Sequence, residues 1–261
     1  MNIGILGCGT LGRVLAAGLR GHADVGDIFA TTRNKNETTA GLPHVQMLEH
    51  NSELAQRSDV LFLCVKPFQV EAVLREIAPM LKDGPLVISV AASVNLAKLV
   101  EWSGGAAAMI RAMPNMPCRI GEGMTVIATS DGAGAGSIAL AQSLFERLGR
   151  VAVIDESLMD AATGLSGCGP AYAYLIIEAL TQAGVKLGIP RTTSLLLAAQ
   201  TLLGAAKMVI ESGAHPAVLK DDVTTPAGCT IDGLIALEKG NLRSTLLNAV
   251  VSAAHRSATL S

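Results

Sequence analysis

The fold is decided by the stretch from Ile3 to Gly12, IGILGCGTLG, in which a short apolar run leads directly into a G-x-G-x-x-G motif. The apolar run predicts a buried strand, and the residues after the motif predict a helix. Gly7 permits the tight turn, Gly9 lets the backbone approach a pyrophosphate, and Gly12 allows close packing of helix on strand. The motif therefore predicts a dinucleotide site, against the alternative of a glycine-rich turn without a ligand.

Outward from this motif, strand and helix patterns alternate as far as Asp155. Strands are predicted at residues 2–6, 27–31, 45–48, 60–65, 86–90, 107–110, 124–128 and 151–154, and helices at 10–20, 52–56, 67–81 and 137–148. Strands that alternate with helices predict a parallel sheet with right-handed crossovers. The predicted fold class is α/β, with an N-terminal Rossmann-type, doubly wound, mainly parallel sheet over residues 1–155.

Beyond residue 155 only helical patterns occur, and an all-helical domain is predicted over residues 156–261. Its helices are predicted at residues 160–187, 191–211, 228–238 and 241–257. His215 precedes Pro216, which favours a cap or turn role for the imidazole.

The composition excludes several classes of protein. Of 261 residues, 50% are hydrophobic and only 16% are charged, unlike a disordered chain. A net charge of -2 gives no electrostatic case for nucleic acid or an anionic membrane surface. The cysteines are odd in number and form no C-x-x-C pair, which predicts reduced thiols in a cytoplasmic protein. No cluster has metal-ligand spacing, and the N-terminus shows no signal peptide pattern.

Charged residues are scarce between Ala161 and Ile210, where only Glu178, Lys186, Arg191 and Lys207 carry charge. The apolar stretch from Leu195 to Ile210 is interrupted by polar and glycine residues, so we predict a buried core helix and not a membrane span. Something other than water is expected to cover this charge-poor segment.

The end of the second strand bears on the choice of cofactor. NAD-type sites usually place an acid there, but the sequence is Ala30-Thr31-Thr32-Arg33-Asn34-Lys35, with no acid before Glu37. Arg33 suits a 2′-phosphate, which favours NADP over NAD; the alternative is a solvated basic turn. Lys66 follows the 60–65 strand, at the edge where ligands bind in such sheets, although a surface lysine is an equal alternative.

A second candidate site lies at Lys220 to Ile231, KDDVTTPAGCTI, which opens an apolar helix. Backbone N–H groups of Gly228, Cys229 and Thr230 are suited to a carboxylate, and Thr225 and Thr230 add hydroxyls. Simple N-capping by threonine is the favoured alternative on physical grounds alone. No Ser/His/Asp arrangement is visible, which fits hydride transfer because the cofactor supplies that chemistry.

Five motifs in order across nearly the whole chain resemble the pyrroline-5-carboxylate reductase family. They are GILGCGTLG (4–12), CVKP (64–67), RAMPNMPCRIGEG (111–123), TGLSGCGPAYAY (163–174) and KDDVTTPAGCTIDGLIALE (220–238). The resemblance implies NAD(P)H-dependent reduction of 1-pyrroline-5-carboxylate to L-proline, the last step of proline synthesis. It also implies a homodimer or larger homo-oligomer through an interlocking C-terminal domain, so the charge-poor helices are a predicted subunit interface.

The resemblance assigns roles to individual residues. It implies substrate carboxylate binding by Thr225, Gly228, Cys229 and Thr230, with Thr230 near the imine nitrogen as the catalytic residue. The implied cofactor contacts are Gly7, Cys8, Gly9, Thr10, Leu11, Gly12, Thr32, Asn51, Val65, Lys66 and Ala92. The family usually has Ser-Pro-Gly-Gly where this chain has Thr225-Pro226-Ala227-Gly228, and Ala227 is expected to restrict the loop.

Two other classes of function remain open at this point. One is a related imine reductase or β-hydroxyacid dehydrogenase, which would place a catalytic lysine in the helical domain; Lys186 and Lys207 lie there, but in no recognisable motif. The other is a non-catalytic NADP-binding regulator, against which the intact 225–231 segment weighs.

Overall fold

The computed structural model describes residues 1–32, 42–81, 84–105 and 108–260. Within these ranges eight strands form one sheet. They are β1 (Ile3–Leu6), β2 (Ile28–Thr31), β3 (Val45–Met47), β4 (Val60–Leu63), β5 (Leu86–Ser89), β6 (Met109–Pro114), β7 (Gly123–Thr129) and β8 (Gly149–Val153). The strand order is β3-β2-β1-β4-β5-β6-β7-β8, and its first six members follow the Rossmann order.

The helices of the sheet region lie between these strands, and the remaining helices follow β8. They are α1 (Thr10–Gly18), α2 (Asn51–Arg57), α3 (Pro67–Ile77), α4 (Leu96–Trp102), α5 (Ala135–Glu146), α6 (Met159–Ala162), α7 (Gly169–Lys186), α8 (Arg191–Ser212), α9 (Pro216–Asp222), α10 (Cys229–Lys239) and α11 (Leu242–Ala258). A π-helical turn, Thr163–Gly167, joins α6 to the start of α7 and interrupts the continuous helix predicted over residues 160–187.

The sheet is parallel except between β6 and β7, which confirms the predicted mainly parallel sheet. β6 and β7 are antiparallel because only residues 115–122 join them, and a parallel crossover needs a dozen residues or more. β6 runs to Pro114, four residues past its predicted end. The short helix α4 was not predicted; the Asn95 side chain caps it by accepting a hydrogen bond from the Lys98 N–H at 2.9 Å.

Alternate residues of the central strands fill two apolar cores, one on each face of the sheet. In β4, Val60 and Phe62 belong to one core, whereas Leu61 and Leu63 belong to the other. Phe62 meets Phe145 of α5 edge to face, with 5.8 Å between ring centroids. Burying a side chain of this size contributes about 1.5–3 kcal/mol, so both cores stabilise the sheet.

A buried arginine of β6 anchors the segment that follows β8. Arg111 is 4% exposed, and its Nη1 lies 2.8 Å from Glu156 Oε1, while Nη2 lies 3.9 Å from Asp160 Oδ1. Asp160 Oδ1 also accepts a hydrogen bond of 2.6 Å from Ser257 Oγ, near the end of α11. These contacts attach both the 156–160 segment and the C-terminal residues to the sheet.

The chain divides into two compact units. The sheet unit comprises Met1–Gly167 together with Ser252–Ser261, and the helical unit comprises Cys168–Val251. The domain boundary expected after residue 155 stays a prediction, and the structure adds that the last residues of the chain belong to the sheet unit.

Within the helical unit, α7 and α8 approach closely through small residues. A Cβ on Gly184 would lie 2.6 Å from Ser194 Oγ, so glycine is needed at this contact. Ser194, Thr181 and Ala198 are buried there, at 3%, 5% and 7% exposure. Close packing of these small residues holds α7 against α8.

Helix α8 does not fulfil the prediction of a buried core helix. It is the one helix among the described residues that is long and apolar enough to cross a membrane by length and composition, yet only 11% of its apolar window is buried. Leu196 is 67% exposed and Leu203 is 56% exposed. The prediction is wrong for the single chain because these leucines point away from the packed face of α7 and α8.

Candidate functional site

The turn between β1 and α1 has the geometry expected of a dinucleotide loop. Gly7 adopts φ +96°, and a Cβ there would lie 2.9 Å from both the backbone N and Cγ1 of Val65. The N–H groups of Gly7 and Cys8 both donate to the Thr31 carbonyl, at 3.1 and 3.0 Å. The turn is therefore fixed between the ends of β2 and β4, at the carboxyl edge of the sheet.

The other two glycines of the motif occupy opposite environments. A Cβ on Gly12 would collide with the Gly7 carbonyl oxygen, so α1 can start this close to β1 only with glycine. A Cβ on Gly9 would meet nothing within 4 Å, which leaves open space in front of the α1 N-terminus. A pyrophosphate fits there, since it can approach the backbone and accept the unpaired N–H groups of the first turn.

A cavity of about 550 Å³ opens at this edge of the sheet. Six predicted cofactor residues line it: Gly7, Gly9, Thr32, Asn51, Val65 and Lys66. The structure thus brings together residues that span 60 positions of sequence, and the cavity has the size of a typical small-molecule site.

The remaining predicted cofactor residues lie elsewhere. Cys8 and Gly12 are buried under the turn, and Leu11 is half-buried in α1. Thr10, the first residue of α1, lines a second cavity of about 650 Å³ beside α1 together with Arg13, Arg119 and Arg147. Ala92 lies in the turn after β5, and Arg33 lies outside the described residues.

Asn51 is held in a single orientation by two neighbours. Its Oδ1 accepts a hydrogen bond from the Thr31 hydroxyl at 2.7 Å, and its Nδ2 donates to Glu76 Oε2 at 2.9 Å. Because an ionised carboxylate only accepts, the amide nitrogen must face Glu76. One Nδ2 hydrogen remains for a ligand in the cavity.

Lys66 is the N-cap residue of α3, and its backbone is fixed by Gln69. The Lys66 N–H donates to Gln69 Oε1 at 3.1 Å, and the Gln69 N–H donates to the Lys66 carbonyl at 2.9 Å. The Lys66 side chain is exposed at the cavity mouth, where its ammonium can meet a negatively charged group of a ligand.

The Cys64 thiol lines the same cavity and is chemically inert there. Burial raises its pKa well above the ordinary value, and the Cys8 thiol nearby adds to the rise. A thiol that stays protonated is a poor nucleophile, so Cys64 contributes shape and not chemistry.

Sequence reasoning missed one wall of the cavity, which includes Glu49 and a face of α3. The α3 residues are Phe68, Gln69, Ala72, Val73 and Glu76. Consecutive members of this set are one, three, one and three residues apart, which is the spacing of side chains on one face of a helix. This periodicity is the sequence signal that could have identified the wall. Phe68 is 82% exposed on this wall, so a large apolar ring is available to a flat ligand group.

The second candidate segment forms a tight turn before α10. The Gly228 N–H donates to the Thr225 carbonyl at 3.0 Å, and Gly228 is the N-cap of α10 in extended conformation. A Cβ on Gly228 would lie 2.5 Å from Thr225 Oγ1, so glycine is needed to bring this hydroxyl against the helix start. The helix starts with no side-chain cap, which leaves N–H groups of its first turn for a ligand.

Ala227 adopts φ +58° in this turn, a left-handed conformation that favours glycine. The sequence comparison with the family's usual Gly at this place anticipated the restriction. An alanine here retains a loop geometry that costs about 1 kcal/mol relative to glycine.

Thr230 is half-buried in the first turn of α10, whereas Thr225 and Cys229 are exposed. Asp232 also lies in this turn, and its charge opposes the binding of an anion. A carboxylate bound here would depend on the N–H groups of the turn and on the threonine hydroxyls.

Among the described residues, no group of three or more His, Cys, Asp or Glu side chains is placed to hold a metal ion. His215 caps α9, as predicted, because its Nδ1 accepts the Ala217 N–H at 3.2 Å.

Comparisons with known proteins cover both units. Residues 156–260 match the family model for pyrroline-5-carboxylate reductase dimerisation, and residues 2–93 match the model for NADP oxidoreductase, coenzyme F420-dependent. Pyrroline-5-carboxylate reductase of Arabidopsis thaliana is 47% identical over 83% of this chain and 78% of its own length. The Pisum sativum enzyme of that name is 40% identical over 99% of this chain and 96% of its own.

A solved structure gives the same result. The crystal structure of Plasmodium falciparum pyrroline carboxylate reductase with NADP bound is 35% identical and superposes with a TM-score of 0.89. The match covers 100% of this chain and 98% of that one.

Proposed function

The chain belongs to the pyrroline-5-carboxylate reductase family, and from that membership we propose how its own residues reduce 1-pyrroline-5-carboxylate to L-proline. The protein is an oxidoreductase that uses NAD(P)H. The observation that carries the proposal is the glycine-built turn and its cavity, in a chain that matches these enzymes over most of its length.

We propose that the sheet unit binds the cofactor. The α1 N-terminus beside Gly9 receives the pyrophosphate, and Thr32 and Asn51 receive the adenosine ribose, with Arg33 as ligand of a 2′-phosphate. Lys66 and Ala92 follow β4 and β5 at the edge where the nicotinamide half is expected, since ligands bind at the carboxyl ends of the strands. When bound, NADPH supplies the hydride that reduces C5 of the imine.

The turn before α10 is proposed to hold the substrate. The backbone N–H groups of Gly228, Cys229 and Thr230 and the Thr225 hydroxyl bind the carboxylate, as helix starts bind anions. The Thr230 hydroxyl hydrogen-bonds the ring nitrogen, and the imine takes one proton from water, either before the hydride reaches C5 or together with it. Fixed orientation of two reactants is worth about 7–11 kcal/mol, so few catalytic side chains are needed.

The protein is a homo-oligomer, as its dimerisation region indicates. We propose that the subunits associate through the C-terminal helices, as a dimer or larger assembly, because α8 exposes leucines that the single chain leaves uncovered. We further propose that the enzyme is cytoplasmic and binds neither nucleic acid nor membrane, in keeping with its small net charge.

The role of Thr230 is tested by Thr230→Ala, with Thr230→Ser as the control that keeps the hydroxyl. Loss of one well-placed hydrogen-bond donor lowers turnover by roughly 10²-fold, so Thr230→Ala is expected to lose about this much while Thr230→Ser retains most activity. Turnover is followed by NADPH absorbance with pyrroline-5-carboxylate, and NADPH binding by fluorescence titration. Equal loss of turnover and NADPH binding would contradict the proposed role, and turnover of a 3-hydroxy acid with NADP would contradict the proposed reaction.

A further inference from the structure

Two carboxylates and one ammonium line the cofactor cavity among the described residues: Glu49, Glu76 and Lys66. NADPH differs from NADH only by a 2′-phosphate on the adenosine ribose. NAD-type sites usually discriminate by an acid at the end of the second strand. In this chain that position holds Thr31 and Thr32, and Glu76 reaches the same place from α3.

Glu76 is connected to the end of β2 through Asn51. Thr31 donates to Asn51, and Asn51 donates to Glu76, so three side chains form one hydrogen-bonded chain along the cavity wall. The Asn51 amide has a second N–H that Glu76 does not use. Glu76 therefore fixes the direction in which Asn51 can donate to a ribose hydroxyl.

The charge of Glu76 is not balanced by its neighbour on α3. Arg75 is directed to Glu71 at 2.9 Å and to Glu101 at 3.8 Å. Within the described part of the chain, the contact found for the Glu76 carboxylate is the neutral Asn51 amide. Glu76 therefore presents a negative charge to the cavity.

We infer that Glu76 limits the preference for NADPH over NADH that Arg33 would give. It orients Asn51 toward the adenosine ribose, which serves both cofactors, and it repels the 2′-phosphate, which only NADPH carries. The inference rests on the proposed cofactor site and adds to it a positioning and specificity role for a residue of α3. NADH is then a usable cofactor even though Thr31 and Thr32 replace the usual acid.

Two substitutions separate the two effects of Glu76. Glu76→Gln keeps an acceptor for Asn51 and removes the charge, so kcat/KM should rise for NADPH by roughly three- to tenfold and change little for NADH. Added salt should shrink the difference between this variant and the parent, because salt screens exposed charges. Glu76→Asp keeps the charge but shortens the side chain, so it should lower kcat/KM for both cofactors and leave their ratio close to that of the parent.

The matched control is Glu71→Gln on the same helix, which removes an equal charge from a residue paired with Arg75 and outside the cavity. It should leave the NADPH to NADH ratio of kcat/KM unchanged. Thermal denaturation of each variant shows that the protein is folded under the assay conditions.

The outcome also distinguishes this inference from the proposed function. If Asn51→Ala weakens both cofactors but Glu76→Gln leaves their ratio unchanged, the cofactor site stands and the role of Glu76 is refuted. If Asn51→Ala weakens neither cofactor, the assignment of the adenosine subsite itself is wrong. A ratio that shifts equally in Glu71→Gln would also overturn the inference, since it would reflect net charge and not position.

Discussion

Strand β4 and helix α8 are both strongly apolar, but β4 is buried within the chain and α8 is largely exposed. Every residue of β4 is buried, because helices pack on both faces of the sheet. In α8 the buried residues are Ser194 and Ala198, while leucines such as Leu196 are exposed. Apolar sequence thus indicates that a surface will be covered, but not whether the same chain or a second copy covers it.

The largest expected effect tests the sheet side of this comparison. Phe62→Ala removes a fully buried ring that meets Phe145, and the resulting cavity should lower the free energy of unfolding by about 3–5 kcal/mol. Urea denaturation of the protein without cofactor measures the loss. Phe68→Ala is the control, because Phe68 is 82% exposed and its loss should cost no more than about 0.5 kcal/mol. Similar losses in both variants would show that burial in the single chain does not govern stability here.

A smaller effect is expected for a substitution in α8, and it should appear in subunit association and not in the unfolding of the single chain. Leu196→Asp places a charge on the exposed face of α8, which should destabilise subunit association by roughly 2 kcal/mol or more if this face is an interface. Sedimentation velocity should show dissociation, with helical content unchanged by circular dichroism. Glu211→Gln alters an exposed pair with Lys207 in the same helix and should leave the assembly intact. An unchanged assembly in Leu196→Asp would place the interface elsewhere.

The smallest expected effect concerns the turn before α10. Ala227→Gly relieves the left-handed backbone at φ +58° but adds freedom to the unfolded chain, so the net gain in stability should be roughly 1 kcal/mol or less. Thermal denaturation detects such a gain. If the substitution also lowers KM for the substrate, the turn is restricted in the parent; a loss of stability would show that Ala227 is not strained.

The features that the sequence predicted correctly depend on residues close together in the chain. The G-x-G-x-x-G turn depends on glycine at fixed places, and the structure shows close contacts at Gly7 and Gly12 and open space at Gly9. The alternation of strands and helices likewise predicted a doubly wound, mainly parallel sheet, because βαβ connections allow few arrangements; the strand order itself comes from the structure.

The sequence predicted least where distant residues converge. Glu49 and Glu76 both line the cofactor cavity. The helix-face spacing groups Glu76 with the other α3 residues of the wall, but it does not place that face beside Thr31. The ion pair between Arg111 and Glu156 spans 45 residues and was likewise not predicted. The antiparallel turn from β6 to β7 was missed because the periodicity of a strand does not reveal its direction.

Residues 252–261 belong to the sheet unit, which determines what a single cleavage of the chain separates. Ser257 bonds to Asp160, so residues 252–261 complete a unit whose other members end at Gly167. A polypeptide that stops at Gly167 therefore lacks residues 252–261 of the sheet unit. In sequence, the helical unit is an insertion between two segments of the sheet unit. A protease that cuts once within the helical unit would give two fragments that each contain residues of the sheet unit.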